Sequence, residues 1–144
     1  MDNLYRDFIL EHYRNPHNQG VLDPHDLQFA DSNPTCGDEM SMTLRLDEGK
    51  ERVTEVAFDG RGCAISQASA SILTDELPGK TVQELRDLDP RGVVENLGVP
   101  IGPARLKCAL LSYKVLQGAV MGSEARWPEE ADVLIDAYEG GTSP

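Results

Sequence analysis

The run Met40-Ser41-Met42-Thr43-Leu44-Arg45-Leu46 alternates apolar and polar side chains. Because successive residues of a β-strand point to opposite faces, this alternation predicts a strand with one buried face. Asp47-Glu48-Gly49-Lys50 then supplies turn residues, and Arg52 to Phe58 is again rich in residues that favour strands. The two runs predict a β-hairpin, and Leu27 to Ala30 is predicted as a third strand at its edge.

Helical spacing appears on both sides of this hairpin. Apolar residues from Leu4 to Tyr13 recur at helical intervals and stop at Asn15-Pro16, because the residue before proline disfavours the helical conformation. After the hairpin, the start signals are a change to helical spacing, a capping box and prolines at first helical positions. They predict helices beginning after Cys63, at Thr81 with Glu84, at Pro103 and at Pro128.

Length and element order predict one α+β domain over residues 1–144. A chain of 144 residues with 40% hydrophobic content supports one modest core. Strands precede most of the helices, which is typical of an antiparallel sheet covered by helices. We expect a small antiparallel sheet of about three strands packed against several helices.

Charge and hydropathy exclude two classes of partner. A formal net charge of −12 argues against nucleic acid, since neutralising phosphates requires clustered lysine and arginine. No run approaches the roughly 20 apolar residues of a membrane-spanning helix. The first residues, Met1-Asp2-Asn3-Leu4-Tyr5-Arg6, lack the layout of a signal peptide. We expect a cytoplasmic protein that binds neither nucleic acid nor membrane.

Three cysteines are the residues most suggestive of chemistry. An odd number, spread along the chain without an export signal, argues against a disulfide framework. Cys36 stands in the turn sequence Asn33-Pro34-Thr35-Cys36-Gly37-Asp38, immediately before the predicted strand. If the chain is extended there, Cys36 and Asp38 project to the same side, so a thiolate and a carboxylate can reach one ion.

The other two cysteines also have neighbours that favour the charged thiolate. Cys63 follows Gly60-Arg61-Gly62 at a strand-to-helix junction, where the helix dipole and a cation are close. Cys108 is flanked by Lys107 and by Arg105 early in the helix that begins at Pro103. The alternative is that these thiols are buried as small hydrophobic residues, above all Cys108 in its otherwise apolar helix.

Three thiolates and one carboxylate form a donor set with two uses. Zinc accepts such a set in a tetrahedral site. The same residues could hold a [2Fe-2S] cluster, and replacing one of the usual four thiolates by Asp38 would make that cluster easier to release. A releasable cluster suits a scaffold better than an electron carrier.

At these residues the sequence resembles the NifU N-terminal or IscU/SufU family of iron–sulfur cluster assembly proteins. The resemblance covers most of the chain and is carried by motifs in the family's order. They are Tyr13-Arg14-Asn15-Pro16-His17-Asn18-Gln19-Gly20, Asn33-Pro34-Thr35-Cys36-Gly37-Asp38 and Gly60-Arg61-Gly62-Cys63-Ala64-Ile65-Ser66.

The resemblance implies an α+β fold and a metal- or cluster-binding site made of Cys36, Asp38, Cys63 and Cys108. It implies a pyridoxal-phosphate cysteine desulfurase as sulfur donor, apo iron–sulfur proteins as recipients, and iron or zinc as the metal. By analogy, Cys108 accepts the persulfide sulfur. The expected role is a scaffold rather than an enzyme, with a zinc-dependent sulfurtransferase of the SufU kind as the alternative.

Two departures from the family pattern bear on that choice. Lys107 occupies the position where IscU proteins carry histidine, as is common in the SufU branch, whereas the interval from Cys63 to Cys108 lacks an insertion typical of many SufU proteins. Gly98-Val99-Pro100-Ile101-Gly102-Pro103 replaces the Leu-Pro-Pro-Val-Lys segment that IscU proteins offer to a specialised Hsp70. A partnership with that chaperone is therefore not expected.

Two other functions compete with cluster assembly. A cysteine hydrolase needs a base beside its thiol, and the three histidines, His12, His17 and His25, are all distant from the cysteines in sequence. A purely structural zinc module could use the same four ligands. Such a module should unfold when its metal is removed, whereas a scaffold with a core of its own should stay folded.

Overall fold

A three-stranded antiparallel sheet forms the centre of the fold in the computed structural model of the chain, which describes residues 3–33 and 37–128. The strands are β1 (Leu27–Asn33), β2 (Asp38–Leu46) and β3 (Val53–Arg61), with β2 in the middle. All three predicted strands are confirmed. Each extends beyond its predicted bounds at the same end of the sheet, where the β1–β2 connection and the β3–α2 junction lie.

Five α-helices accompany the sheet within the described residues. They are α1 (Asn3–Arg14), α2 (Ala64–Asp75), α3 (Val82–Arg86), α4 (Pro90–Glu95) and α5 (Pro103–Met121). The predicted starts after Cys63, at Thr81 and at Pro103 are confirmed, and α1 ends directly before Asn15-Pro16 as expected. The helix predicted from Pro128 falls on residues 129–144, outside the described residues.

The caps of the two short helices explain why one was predicted and the other was not. The capping box of α3 is present, with Glu84 N–H donating to Thr81 Oγ1 at 3.0 Å and Thr81 N–H donating to Glu84 Oε1 at 3.0 Å. Helix α4 begins with Asp89 as its N-cap and Pro90 at its first position. This start signal stands in the sequence, but the six residues of α4 are too few to show helical spacing.

Helices α2 and α5 pack on one face of the sheet and on each other. Met40, Met42, Leu44 and Phe58 are buried there beneath α5, as the alternation in β2 predicted. A second apolar cluster joins α1, the start of α2 and the first turns of α5. Two cores therefore meet along α5 and fix its position relative to β1 and α2. No described helix is long and apolar enough to cross a membrane.

Candidate metal centre

Three of the predicted site residues come together from three different elements. Asp38 is the first residue of β2, Cys63 is the N-cap residue of α2, and Cys108 lies in the second turn of α5. One carboxylate oxygen and the two sulfurs lie within 4.8 Å of one another. The structure thus places a carboxylate and two thiols, 25 to 70 residues apart in sequence, at one point.

Asp38 is held against Cys63 by two contacts. Its Oδ1 accepts a hydrogen bond from the Cys63 backbone N–H at 3.3 Å, and its Oδ2 lies 3.6 Å from the Cys63 Sγ. The carboxylate therefore occupies the N-terminal end of α2, where the helix dipole favours negative charge. Asp38 is buried at 4% exposure, whereas Cys63 is exposed. The Asp38 carboxylate is therefore held in the protein interior, whereas the Cys63 thiol faces solvent.

Gly62 and Ser66 shape the space around this carboxylate. A Cβ atom on Gly62 would lie 2.6 Å from the Asp38 Cγ and 2.7 Å from the Ser66 Oγ, closer than such atoms approach. Only glycine therefore allows the carboxylate to reach this position. The Ser66 hydroxyl donates to the Cys63 carbonyl oxygen at 3.1 Å and lies 3.9 Å from the Cys63 Sγ.

Cys108 approaches the site from α5 and is buried, at 6% exposure. The Asn33 side chain, at the end of β1, points its Nδ2 at the Cys108 Sγ over 3.9 Å. Lys107 lies on another side of α5, where its Nζ is 5.6 Å from the centre of the Trp127 ring. Trp127 packs against both apolar clusters, in agreement with a packing role for this residue.

Cys36 lies outside the described residues, in the connection 34–37 between β1 and β2. The ends of this connection are described, because Asn33 and Asp38 are Cα partners in the β1–β2 ladder. In addition, the Gly37 N–H donates to the Asn33 carbonyl oxygen at 2.8 Å. The connection that carries Cys36 thus begins beside Cys108 and ends beside Cys63.

The observed donor atoms fit a zinc ion by their chemistry and spacing. Tetrahedral zinc with usual bond lengths places a sulfur and a carboxylate oxygen about 3.5 Å apart and two sulfurs about 3.8 Å apart. The Asp38–Cys63 distance of 3.6 Å matches the first value, whereas the 4.8 Å limit for the whole group exceeds the second. Side-chain movements of about one ångström would bring the three described donors to three corners of such a tetrahedron.

The histidines are engaged elsewhere, which argues against a cysteine hydrolase. The His12 Nδ1 is 2.7 Å from the Ser71 Oγ, and the His17 Nδ1 is 2.6 Å from the Asp75 Oδ2. Ser71 lies eight residues after Cys63, or about 12 Å along the axis of α2. Burial, reinforced by His17, lowers the pKa of His12. The metal-ligand group contains no histidine among the described residues.

Sequence patterns did not single out Asn33, Gly62 or Ser66 as individual site residues. All three stand inside the two cysteine motifs, and Ser66 also follows Cys63 by three residues, the spacing of neighbours on a helix. The sequence signal that could have indicated each of them was therefore its place relative to a cysteine. The contact with a particular sulfur or carboxylate depends on tertiary packing, which no local pattern encodes.

Two curated proteins are similar to this chain over most of its length. The chain is 40% identical over 142 residues to the zinc-dependent sulfurtransferase SufU of Bacillus subtilis (strain 168), covering 86% of this chain and 94% of that protein. It is 36% identical over 140 residues to the iron-sulfur cluster assembly scaffold protein IscU of Streptococcus pyogenes serotype M1, covering 85% and 86%.

A solved structure has the same fold. It is described as a putative iron-sulfur cluster assembly scaffold protein for the SUF system from Fervidobacterium islandicum AW-1. That structure superposes with a TM-score of 0.67 at 28% identity, over 79% of this chain and 94% of the other. The family model for the NifU-like N terminal domain matches residues 4–129. The chain therefore belongs to the NifU-like N terminal domain family.

Proposed function

We propose that this protein is an iron–sulfur cluster assembly scaffold. It receives sulfur from a cysteine desulfurase, assembles a labile [2Fe-2S] cluster on Cys36, Asp38, Cys63 and Cys108, and passes the cluster to apo-proteins. The observation that supports this most directly is the meeting of Asp38, Cys63 and Cys108, whose ligand atoms lie within 4.8 Å of one another. Cys36 is included as a ligand because it lies in the connection between Asn33 and Asp38.

The site has one exposed ligand and two buried ones, and this difference in exposure suits a scaffold. The Cys63 thiol is exposed, while Asp38 and Cys108 are buried at 4% and 6% exposure. A cluster held here has one side toward solvent, from which a recipient's thiolates can approach. One carboxylate among the ligands also binds iron less strongly than a fourth thiolate, because iron–sulfur clusters favour soft sulfur ligands. Both features favour transfer of the cluster over permanent storage.

Cys108 is the proposed sulfur acceptor. Its thiolate attacks the terminal sulfur of the desulfurase persulfide, so that a new S–S bond forms on Cys108 and the desulfurase cysteine leaves as a thiolate. The sulfur moves without any net oxidation. Because Cys108 is buried and Cys63 is exposed, Cys63 is the competing acceptor. Mass spectrometry of the Cys108→Ala and Cys63→Ala variants after incubation with the desulfurase distinguishes the two candidate acceptors. If the Cys108→Ala variant still carries a persulfide, Cys108 is excluded as the acceptor.

A zinc-dependent sulfur acceptor is the second candidate function, favoured by two observations. The Asp38–Cys63 spacing matches a zinc tetrahedron. The relative of 40% identity is a zinc-dependent sulfurtransferase. In this role Asp38, Cys63 and Cys108, with Cys36, would hold zinc, and the ion would keep the thiols deprotonated until one of them takes up sulfur. The residues are shared between the two functions, so only the bound metal and the product separate them.

One incubation separates the candidates. The purified full chain is kept anaerobic with ferrous iron, cysteine, a reductant and a catalytic amount of cysteine desulfurase, and iron, zinc and acid-labile sulfide per chain are measured. Near-stoichiometric iron and sulfide with a visible chromophore support the scaffold. Retained zinc without iron, together with faster desulfurase turnover, supports the sulfur acceptor. Neither metal retained and no effect on turnover would contradict both functions.

A further inference from the structure

We propose that Asn33 is a positioning residue of the metal centre, and that its buried side-chain amide donates an N–H···S hydrogen bond to the Cys108 sulfur. This assignment rests on the proposed function in one respect, namely that Cys108 is a ligand. It adds a residue that touches the ligand sulfur rather than the metal. The expected consequence is a Cys108 sulfur that is oriented, and less electron-rich, when it binds a metal ion or a cluster.

The first argument is the burial of the amide. Asn33 is 2% exposed, and its Nδ2 lies 3.9 Å from the Cys108 Sγ. Burying an amide is unfavourable unless its polar atoms are hydrogen-bonded, so an apolar residue would be the less costly choice at this position. The contact gives the amide N–H a partner in a sulfur that is itself 6% exposed, and this hydrogen bond is stronger if the sulfur carries negative charge.

The second argument is that the surrounding structure fixes where this amide points. Phe29, Asp31 and Asn33 are alternate residues of β1, and each contacts a residue of α5. The Phe29 ring lies directly against Gly118, where no side chain could be accommodated, and the Asp31 Oδ2 lies 2.7 Å from the Lys114 Nζ. These two contacts align β1 along α5. Asn33 is the next residue on the same face, and it meets Cys108.

The third argument is that the two paired residues at the end of the β1–β2 hairpin contact different cysteines. Asn33 and Asp38 are Cα partners, yet Asn33 contacts Cys108 and Asp38 contacts Cys63. The two cysteines are therefore supported by chemically opposite groups. A donor faces the buried sulfur, and an acceptor that is also a metal ligand faces the exposed one. Hydrogen bonds to ligand sulfurs tune metal affinity and reduction potential in thiolate sites.

Substitutions at Asn33 test this assignment in the full-length protein loaded with cobalt or zinc. Asn33→Leu removes the donor but keeps the same number and branching of heavy atoms, Asn33→Gln keeps an amide, and Ser32→Ala is the matched control on the exposed side of the same strand. The readouts are the energy of the sulfur-to-cobalt charge-transfer band and the zinc affinity measured by competition with a chromophoric chelator. Thermal unfolding of each metal-free variant reports on folding.

Loss of the hydrogen bond should shift the charge-transfer band of Asn33→Leu to lower energy, because the sulfur lone pairs are no longer stabilised. Zinc affinity should fall by about ten- to a hundredfold, the usual effect of removing a partner of a metal ligand. Ser32→Ala should match the wild type, and Asn33→Gln should recover part of both effects. If Asn33→Leu does not fold, Asn33→Ser, whose hydroxyl is too short to reach the sulfur, replaces it.

Three outcomes would overturn the assignment, and they differ in whether they also contradict the proposed function. An unshifted band and unchanged affinity in Asn33→Leu, with a normal wild-type site, exclude the role of Asn33 and leave the proposed function intact. A wild-type protein that binds neither cobalt nor zinc through thiolates excludes the site itself, and with it the proposed function. A shift that also appears in Ser32→Ala would show a general effect of changes in β1 and not a specific hydrogen bond.

Discussion

Lys114 of α5 and Asp31 of β1 form an ion pair, with 2.7 Å between Nζ and Oδ2, in the seam that joins the helix to the sheet. Their side chains are 11% and 29% exposed. Burial raises the pKa of Asp31, but the hydrogen bond from Lys114, the Ser32 N–H and the charge of Lys114 together outweigh it, so the pKa is lowered. The pair lies one strand position from Asn33 on the face that meets α5, so it supports the position of Cys108 relative to the hairpin.

Replacing Lys114 by Met should destabilise the protein by about 1–3 kcal/mol, between the values for exposed and for fully buried ion pairs. The reason is that Asp31 then stays largely buried without its cation. Urea unfolding at pH 7 measures the effect. Because a carboxyl with a lowered pKa contributes stability above its usual value of 3.8, the difference from the wild type should shrink as the pH falls through the folded-state pKa.

The partner variant Asp31→Asn and the double variant complete the test of this pair. If the two residues act together, the double variant should be less destabilised than the sum of the single variants. The exposed pair Arg45–Glu55 serves as a matched control, since its residues also bridge two elements, and breaking it should change stability by less than about 1 kcal/mol. Additive single effects at Lys114 and Asp31 would contradict the coupling.

The parts of the fold that could be predicted from the sequence are those whose residues alternate or recur regularly. The core of β2 and the start of α5 at Pro103 are of this kind. The ends of all three strands nearest the site were not predicted, because Asp31-Ser32-Asn33, Asp38-Glu39 and Asp59-Gly60-Arg61 are mostly polar. Their strand conformation comes from ladder pairing, such as Asn33 with Asp38, rather than from burial of alternate residues.

The candidate site was predictable as a set of residue types, but its geometry was not. Cys63 at the first turn of a helix and Asp38 before a strand are local features that can be read from motifs. By contrast, the meeting of Cys108 with these residues depends on α5 packing between β1 and α2. Likewise, the need for glycine at position 62 becomes evident only when the Asp38 carboxylate is seen lying against it.

Replacing Gly62 by Ala should weaken zinc binding by about ten- to a hundredfold, the range for changes that disturb the orientation of a ligand. The new methyl group would occupy the place of the Asp38 carboxylate, from whose Cγ it would be 2.6 Å away. Chelator competition measures the affinity. Gly92→Ala is the matched control, because a Cβ there meets nothing within 4 Å. Equal affinities in the two variants would contradict the packing explanation.

His12 should make stability depend on pH near neutrality. Burial in the first place, and then the charge of His17, lowers the pKa of His12 below 6.5, so the unfolded chain takes up a proton at higher pH than the folded chain does. Stability is therefore greatest above pH 6.5 and falls as the pH drops toward the folded-state pKa. The slope from this one group is at most about 1.4 kcal/mol per pH unit.

Urea unfolding of the metal-free protein between pH 5 and 8, taken as roughly the range in which histidines titrate, tests this dependence. His12→Asn should be less stable at pH 8, since it loses the contact with Ser71, but should show a flatter dependence on pH. His25→Asn is the control, because its ring is exposed and its Nδ1 lies 3.0 Å from the Leu22 carbonyl oxygen, a local contact within one loop. A slope in His12→Asn equal to that of the wild type would assign the dependence to other groups.

Removing the metal should leave the protein folded. The two apolar clusters lie under the sheet and between α1, α2 and α5, and of the described ligand residues only Cys108 belongs to one of them. A chelator-treated sample should keep its circular dichroism spectrum and melt cooperatively, at a lower temperature. Free zinc at 100 times its Kd should return about 2.7 kcal/mol of stability. Loss of cooperative melting in the metal-free protein would instead indicate a structural zinc module.

Replacing Asp38 by Ala should lengthen the lifetime of an assembled cluster several-fold. The Asp38 Oδ2 lies 3.6 Å from the Cys63 Sγ, so in the proposed site a hard carboxylate oxygen would take the ligand position beside this thiolate. Its removal leaves the cluster to the softer sulfur ligands, which iron–sulfur clusters prefer. Loss of the visible chromophore after addition of an apo-protein or a chelator measures the lifetime.

Glu39→Ala is the matched control for this substitution, because Glu39 is the next residue of β2, is exposed and pairs with Arg61 instead of a cysteine. It removes the same charge from the same strand without touching the site. The wild type and Glu39→Ala should therefore release the cluster at similar rates, and Asp38→Ala more slowly. A shorter lifetime in Asp38→Ala would mean that the carboxylate holds the cluster, and release would then have to be triggered at one of the cysteines, with the exposed Cys63 the first to examine.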